Sequence, residues 1–172
     1  KVSEYVNYAM ELESIVGARL NRLHCDNFVR FLRIIPSPKD GFPKLITKHV
    51  DGPTMYNYFR NEERFKKPSS NDELTSLVTR TLVAAAIMND FASIVHNDLH
   101  QNNVIVTTTR YDVEGYIFPD GREYAFDTFG KYPVIIDMDM AFNGESPSTT
   151  LVSTYAYPYG VCCYEADPLA DA

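Results

Sequence analysis

The residues best suited to chemistry are concentrated in one stretch, Val95-His96-Asn97-Asp98-Leu99-His100-Gln101-Asn102-Asn103-Val104-Ile105-Val106. Two imidazoles flank one carboxylate, and a carboxamide follows that carboxylate by five residues. Farther along, an apolar run ends in acids, Ile135-Ile136-Asp137-Met138-Asp139. A magnesium or manganese ion is a hard cation that takes carboxylate and amide oxygens and shares the rest of its shell with phosphates. Asn103 and Asp137 are the oxygen donors of that kind. Asp98 is placed to orient an attacking hydroxyl and accept its proton. The chemistry these residue types serve together is metal-assisted phosphoryl transfer.

A second reading takes His96, Asp98 and His100 as ligands of a transition metal, since imidazole and carboxylate suit zinc. Alternate residues share a face only on an extended strand, and the surrounding Asn and Gln residues predict a loop. Asp139 reads as a solvent-facing carboxylate. Asp120, in Pro119-Asp120-Gly121, reads as a turn residue bonding its own backbone. His24 and His49 read as surface residues.

These side chains have to be positioned by the elements around them. Apolar residues recur at helical spacing from Tyr5 to Leu23, predicting an amphipathic helix that ends near Cys25-Asp26-Asn27. Phe28–Ile35 and Leu45–Val50 are strand-like runs separated by the turn-rich 36–41, which predicts an antiparallel pair. Thr54 to Phe59 reads as a short helix. Ser70 and Glu73 form a capping box for a long helix whose second half, Leu82–Met88, is nearly all apolar and therefore buried. The chemical loop lies between that helix and Val104–Val106. Tyr111 to Phe129 predicts a hairpin turning at Pro119-Asp120-Gly121, and Val134–Ile136 a buried strand. Residues 143–159, rich in Ser, Thr, Tyr and Pro, read as an extended surface segment.

Composition narrows the classes of function. With 45% hydrophobic residues, 12 Tyr and 10 Phe, the 172-residue chain can bury a core, and intrinsic disorder is excluded. The longest apolar run is far short of the roughly 20 residues of a membrane span. A net charge of −7 disfavours nucleic acid, which requires a basic face. Three cysteines, with Cys162 and Cys163 adjacent and no Cys-x-x-Cys, point to a reducing compartment such as cytoplasm.

The loop from His96 to Asn103, followed by a strand ending in Asp137, resembles the catalytic loop and magnesium motif of the protein-kinase-like superfamily. The order of elements is similar over essentially the whole chain. The resemblance implies a bilobal α+β fold with an incomplete small lobe (1–50: regulatory helix and two strands) and a truncated large lobe (51–172). It implies further small-lobe sheet before Lys1 and large-lobe helices after Ala172.

By the same resemblance Asp98 is the catalytic base, Asn103 and Asp137 hold magnesium, and His96 braces the magnesium motif. Thr47 borders the adenine pocket, and the backbone of Lys48, His49 and Val50 binds the adenine of ATP. Glu13 pairs with the phosphate-binding lysine, for which Lys1 is the candidate, with Lys1-Val2-Ser3 ending a strand. Asp167 or Asp171 would anchor the catalytic loop.

His100 stands where conventional protein kinases carry lysine, and Asp137-Met138-Asp139 replaces Asp-Phe-Gly. These departures resemble haspin-like kinases and divergent Ser/Thr kinases of large DNA viruses. The implied function is transfer of phosphate from ATP to protein Ser/Thr hydroxyls, in host cytoplasm or a virion if viral, with a protein partner completing or regulating the fold. The alternatives are a small-molecule phosphotransferase of the aminoglycoside or choline type, and a catalytically weak kinase mimic that acts by binding a partner.

Overall fold

A computed structural model of the chain describes residues 2–35, 43–60, 70–118 and 120–142. Lys1, the 36–41 turn, Cys162 and Cys163, the Ser/Thr/Tyr-rich segment, Asp167 and Asp171 lie outside the described residues. The fold is mixed, with helices α1 (Val2–Asn21), α2 (Met55–Arg60) and α3 (Asn71–Ala92). Three antiparallel two-stranded sheets accompany them. They are formed by β1 (Phe31–Ile35) with β2 (Lys44–Thr47), β3 (Val104–Thr108) with β6 (Lys131–Ile135), and β4 (Val113–Ile117) with β5 (Glu123–Asp127). This is an α+β arrangement.

The apolar stripe of α1 supplies Leu12, Val16 and Leu20, spaced four apart so that they share one face, and all three are buried. Between them, Gly17 lets β1 come close, because a Cβ there would sit 2.7 Å from the Cβ of Phe31. Helix α3 starts where the cap predicts: the Ser70 hydroxyl accepts from the Glu73 N–H at 3.2 Å. The Glu73 carboxylate accepts a hydrogen bond from the Tyr58 hydroxyl, which ties α2 to α3. The helix stops at Ser93, which takes a left-handed conformation (φ 54°) and donates its N–H to the Asn89 carbonyl. Leu77, Ala84 and Met88 on α3 pack with Val104, Ile135 and Met138 into the same core. Each large side chain fully buried there contributes about 1.5–3 kcal/mol.

The β3–β6 ribbon is the hub. On one side, Val29 donates to Ile135 and Ile135 to Asn27; on the other, Val106 donates to Pro53. Asn27, fully buried, donates its amide to the Pro133 carbonyl at 3.0 Å. Its Oδ1 accepts from the Cys25 thiol at 3.2 Å and the Tyr116 hydroxyl at 3.3 Å. The turn after α1 is thereby pinned to both the ribbon and the hairpin.

Most expected elements form, with shifted limits. The first strand begins at Phe31 rather than Phe28, because Phe28 pairs instead with Ile135 in a parallel bridge. Val2 and Ser3, expected at the end of a strand, are helical. Eleven helical rises of 1.5 Å, about 16 Å, therefore separate Val2 from Glu13.

Candidate active site

The loop after α3 is fastened to the segment after β6 at four points. Val95 and Phe142 exchange both backbone hydrogen bonds, at 2.9 and 2.8 Å. The Asn97 amide donates to the Met140 carbonyl at 3.5 Å, and the Ile136 N–H to the Asn103 carbonyl at 2.9 Å. His96, wholly buried, lies 3.0 Å through Nε2 from the Ile136 carbonyl, while its Nδ1 accepts the Asp98 N–H at 3.3 Å. Nε2 is thus the protonated nitrogen. With both ring nitrogens engaged, this imidazole is not a zinc ligand. Among the described residues, no group of three or more His, Cys, Asp or Glu forms a metal cage.

Asn103 is the second brace. Its amide nitrogen donates to the Asp98 carbonyl at 3.0 Å and to Asp98 Oδ2 at 3.2 Å. That leaves the Asn103 side-chain oxygen as the atom able to ligate a cation. The partly exposed His100 ring lies 3.6 Å from Asp98 Oδ2 through Nε2, and its Nδ1 accepts from the Asn102 N–H. Asp137 holds φ 66° and Asn97 φ 61°, a left-handed backbone that Asp and Asn adopt more readily than other side chains. Met138 is buried in the core next to Asp137, which fixes the strand end from which both acids project.

Charge accumulates here. Asp139 is not the solvent-facing acid expected. Burial first, then repulsion from Asp137 and Asp98, pushes its carboxyl up to about 6. Glu13 reaches the same place from α1. Burial, then the charges of Asp137 and Asp139, raises it to about 7, against the opposing hydrogen bond from the Met138 backbone. Four carboxylates from three parts of the chain thus share one field. An oxygen-only donor set with excess negative charge fits a hard divalent cation, with Asn103 and Asp137 as the residues to hold it.

Thr47, Lys48, His49 and Val50 lie elsewhere. The Lys48 N–H is engaged by the Arg30 carbonyl at 2.8 Å. Lys48, His49 and Val50 border a groove of about 840 Å³ to which none of Asp98, Asn103 and Asp137 contributes. That groove is distinct from the space in front of the acids. Sequence reasoning took Asp139 for a solvent-facing acid and did not single out Arg80, the buried cation that pairs with Glu114. An acid two residues from Asp137 was a weak signal for the first; an Arg within an apolar helical stripe was the signal for the second.

No family model matches the chain. Over 104 residues, 58% of the chain, it is 33% identical to "Uncharacterized protein 098R" of Invertebrate iridescent virus 6. The chain spans about a sixth (17%) of that protein's length.

Proposed function

We propose that the chain carries the catalytic centre of an atypical, bilobal protein-kinase-like enzyme that transfers phosphate from ATP to Ser/Thr hydroxyls of proteins. The observation that carries this reading is the convergence of Asp98, Asn103 and Asp137, from two separate segments, around a brace made by His96. When bound with ATP, magnesium or manganese would supply charge neutralisation on the phosphate oxygens. Asn103 and Asp137 hold that cation. The Asp98 carboxylate, fixed at Oδ2 by Asn103, orients the acceptor hydroxyl and takes its proton. The new oxygen–phosphorus bond forms as the bond to the β-phosphate breaks and ADP departs. His100, beside Asp98, stands at the acceptor side. A relative from an invertebrate iridescent virus supports a viral origin for the chain.

The test uses full-length protein. Mg-ATP is expected to raise the melting temperature of the wild type and to raise that of Asp137→Ala much less; equal shifts would remove the metal-ligand assignment. Radiolabelled ATP with a protein acceptor is expected to label Ser or Thr. Nucleotide binding without incorporation would favour the partner-binding mimic, and labelling confined to small alcohols or aminoglycosides the small-molecule enzyme.

A further inference from the structure

The β4–β5 hairpin plays no part in the proposed chemistry, yet among the described residues it presents an open edge. Its register pairs Val113 with Asp127 and Ile117 with Glu123. Just beyond the strands, the Phe118 N–H donates to the Arg122 carbonyl and the Thr128 N–H to the Asp112 carbonyl. Antiparallel pairs alternate, so residues 112, 114, 116 and 118 turn their backbone groups toward β5. Val113, Gly115 and Ile117 therefore point their N–H and C=O groups away from it. The sheet has only two strands, and among the described residues nothing pairs with this edge. All three residues line the 840 Å³ groove, whose other walls include Phe91 and the Lys48–Asp51 segment.

Among the described residues no helix or loop pairs with the edge, and its one charged residue, Glu114, points inward to Arg80. Val-Glu-Gly-Tyr-Ile contains no Lys, Pro or bulge, the usual means of blocking strand addition. Val113 and Ile117 are 54% and 67% exposed on one face. Across β4 on that face stand Glu123 and Asp127, both exposed and, among the described residues, in no ion pair with a cation. The net charge of −7 adds to this acidic field.

We propose that the outer edge of β4 docks an extended basic segment of a partner protein as a third strand. Backbone hydrogen bonds to Val113, Gly115 and Ile117 supply the pairing. Apolar residues of the partner cover Val113 and Ile117, and its Lys or Arg side chains reach Glu123 and Asp127. A second copy of this chain fits less well, because two acidic faces would meet.

The probe is a short fluorescent peptide alternating valine and lysine, titrated into full-length protein. It is expected to bind, and to bind about tenfold or more weakly when alternate amides are N-methylated or when glutamate replaces lysine. Gly115→Pro removes only an outward N–H, and a Cβ at Gly115 meets just the Tyr124 carbonyl oxygen, at 3.9 Å. This variant is expected to lose at least about tenfold in affinity. If its melting curve shows that it does not fold, the surface pair Glu123→Lys and Asp127→Lys carries the test, with weakened and less salt-dependent binding expected. The proposal is overturned by no binding to wild type, or by affinity unchanged in the variants. Sedimentation showing a dimer that Gly115→Pro dissociates would assign the edge to a second copy and overturn it too.

Discussion

Asp98 is held at two oxygens by one amide, and that amide belongs to a residue whose backbone carbonyl receives the Ile136 N–H. Under the proposed function, Asn103→Ala therefore frees the base and removes a cation ligand at once. Phosphoryl transfer is expected to fall by about two to four orders of magnitude for Asp98→Asn, with nucleotide binding retained. Asn103→Ala is expected to weaken the Mg-ATP thermal shift as well, which Asp98→Asn leaves in place. His96 acts differently, since it is buried and its two ring nitrogens meet the Ile136 carbonyl and the Asp98 N–H. His96→Ala leaves the Ile136 carbonyl without its donor and opens a cavity, so a loss of about 2–4 kcal/mol in unfolding free energy is expected by chemical denaturation.

Among the elements, the β4–β5 hairpin is joined to α3 by a fully buried Arg80. Its guanidinium donates to Glu114 Oε2 at 2.9 Å, to the Lys131 carbonyl at 3.0 Å and to the Thr128 carbonyl at 3.4 Å. Arg80→Met strands Glu114 beside the core and takes the guanidinium donor from the Lys131 carbonyl, so a loss of about 3–5 kcal/mol is expected. Adding Glu114→Gln to Arg80→Met is expected to restore part of it, measured as a double-mutant cycle. At the other edge of the β3–β6 ribbon, Gly52 holds φ 150°, and a Cβ there would lie 2.2 Å from the Val106 carbonyl oxygen. Gly52→Ala is expected to lower the melting temperature by several degrees, because the ribbon backbone has to move to admit it.

At the scale of the whole molecule, four weak acids among the described residues, two buried and two half-buried, stay neutral in the fold and give the protein an alkaline weakness. Burial pushes the Cys25 thiol up to about 11, and it also raises the Tyr58, Tyr116 and Tyr132 hydroxyls well above their ordinary range. In the unfolded chain these groups ionise at ordinary values, near 9 for Cys and 10 for Tyr. Above pH 9 the unfolded state thus binds fewer protons than the folded one, so stability falls as pH rises. The melting temperature is expected to hold between pH 7 and about 9 and then decline steadily. A flat profile to pH 11 would contradict the burial of these groups.

Much of this was legible along the chain, because it depends on neighbours in sequence. The caps of α3, the helical stripe Leu12-Val16-Leu20 and the alternation around Asp120-Gly121 are set by local geometry. The spacing from His96 to Asn103 and the acid-ended strand at Asp137 are legible for the same reason. What needed the tertiary structure is everything joining distant segments. Glu13 reaches Asp137 and Asp139 only because α1 packs against β1 and α3, and its altered acidity comes from burial and charges more than a hundred residues away. Asp139 looked exposed because sequence carries no record of what covers a side chain. Phe28 left the first strand for Ile135, and Arg80 in an apolar stripe found Glu114, for the same reason. Residue type and spacing determine which chemistry is available, whereas packing decides which charges share a field and which backbone edges are left open.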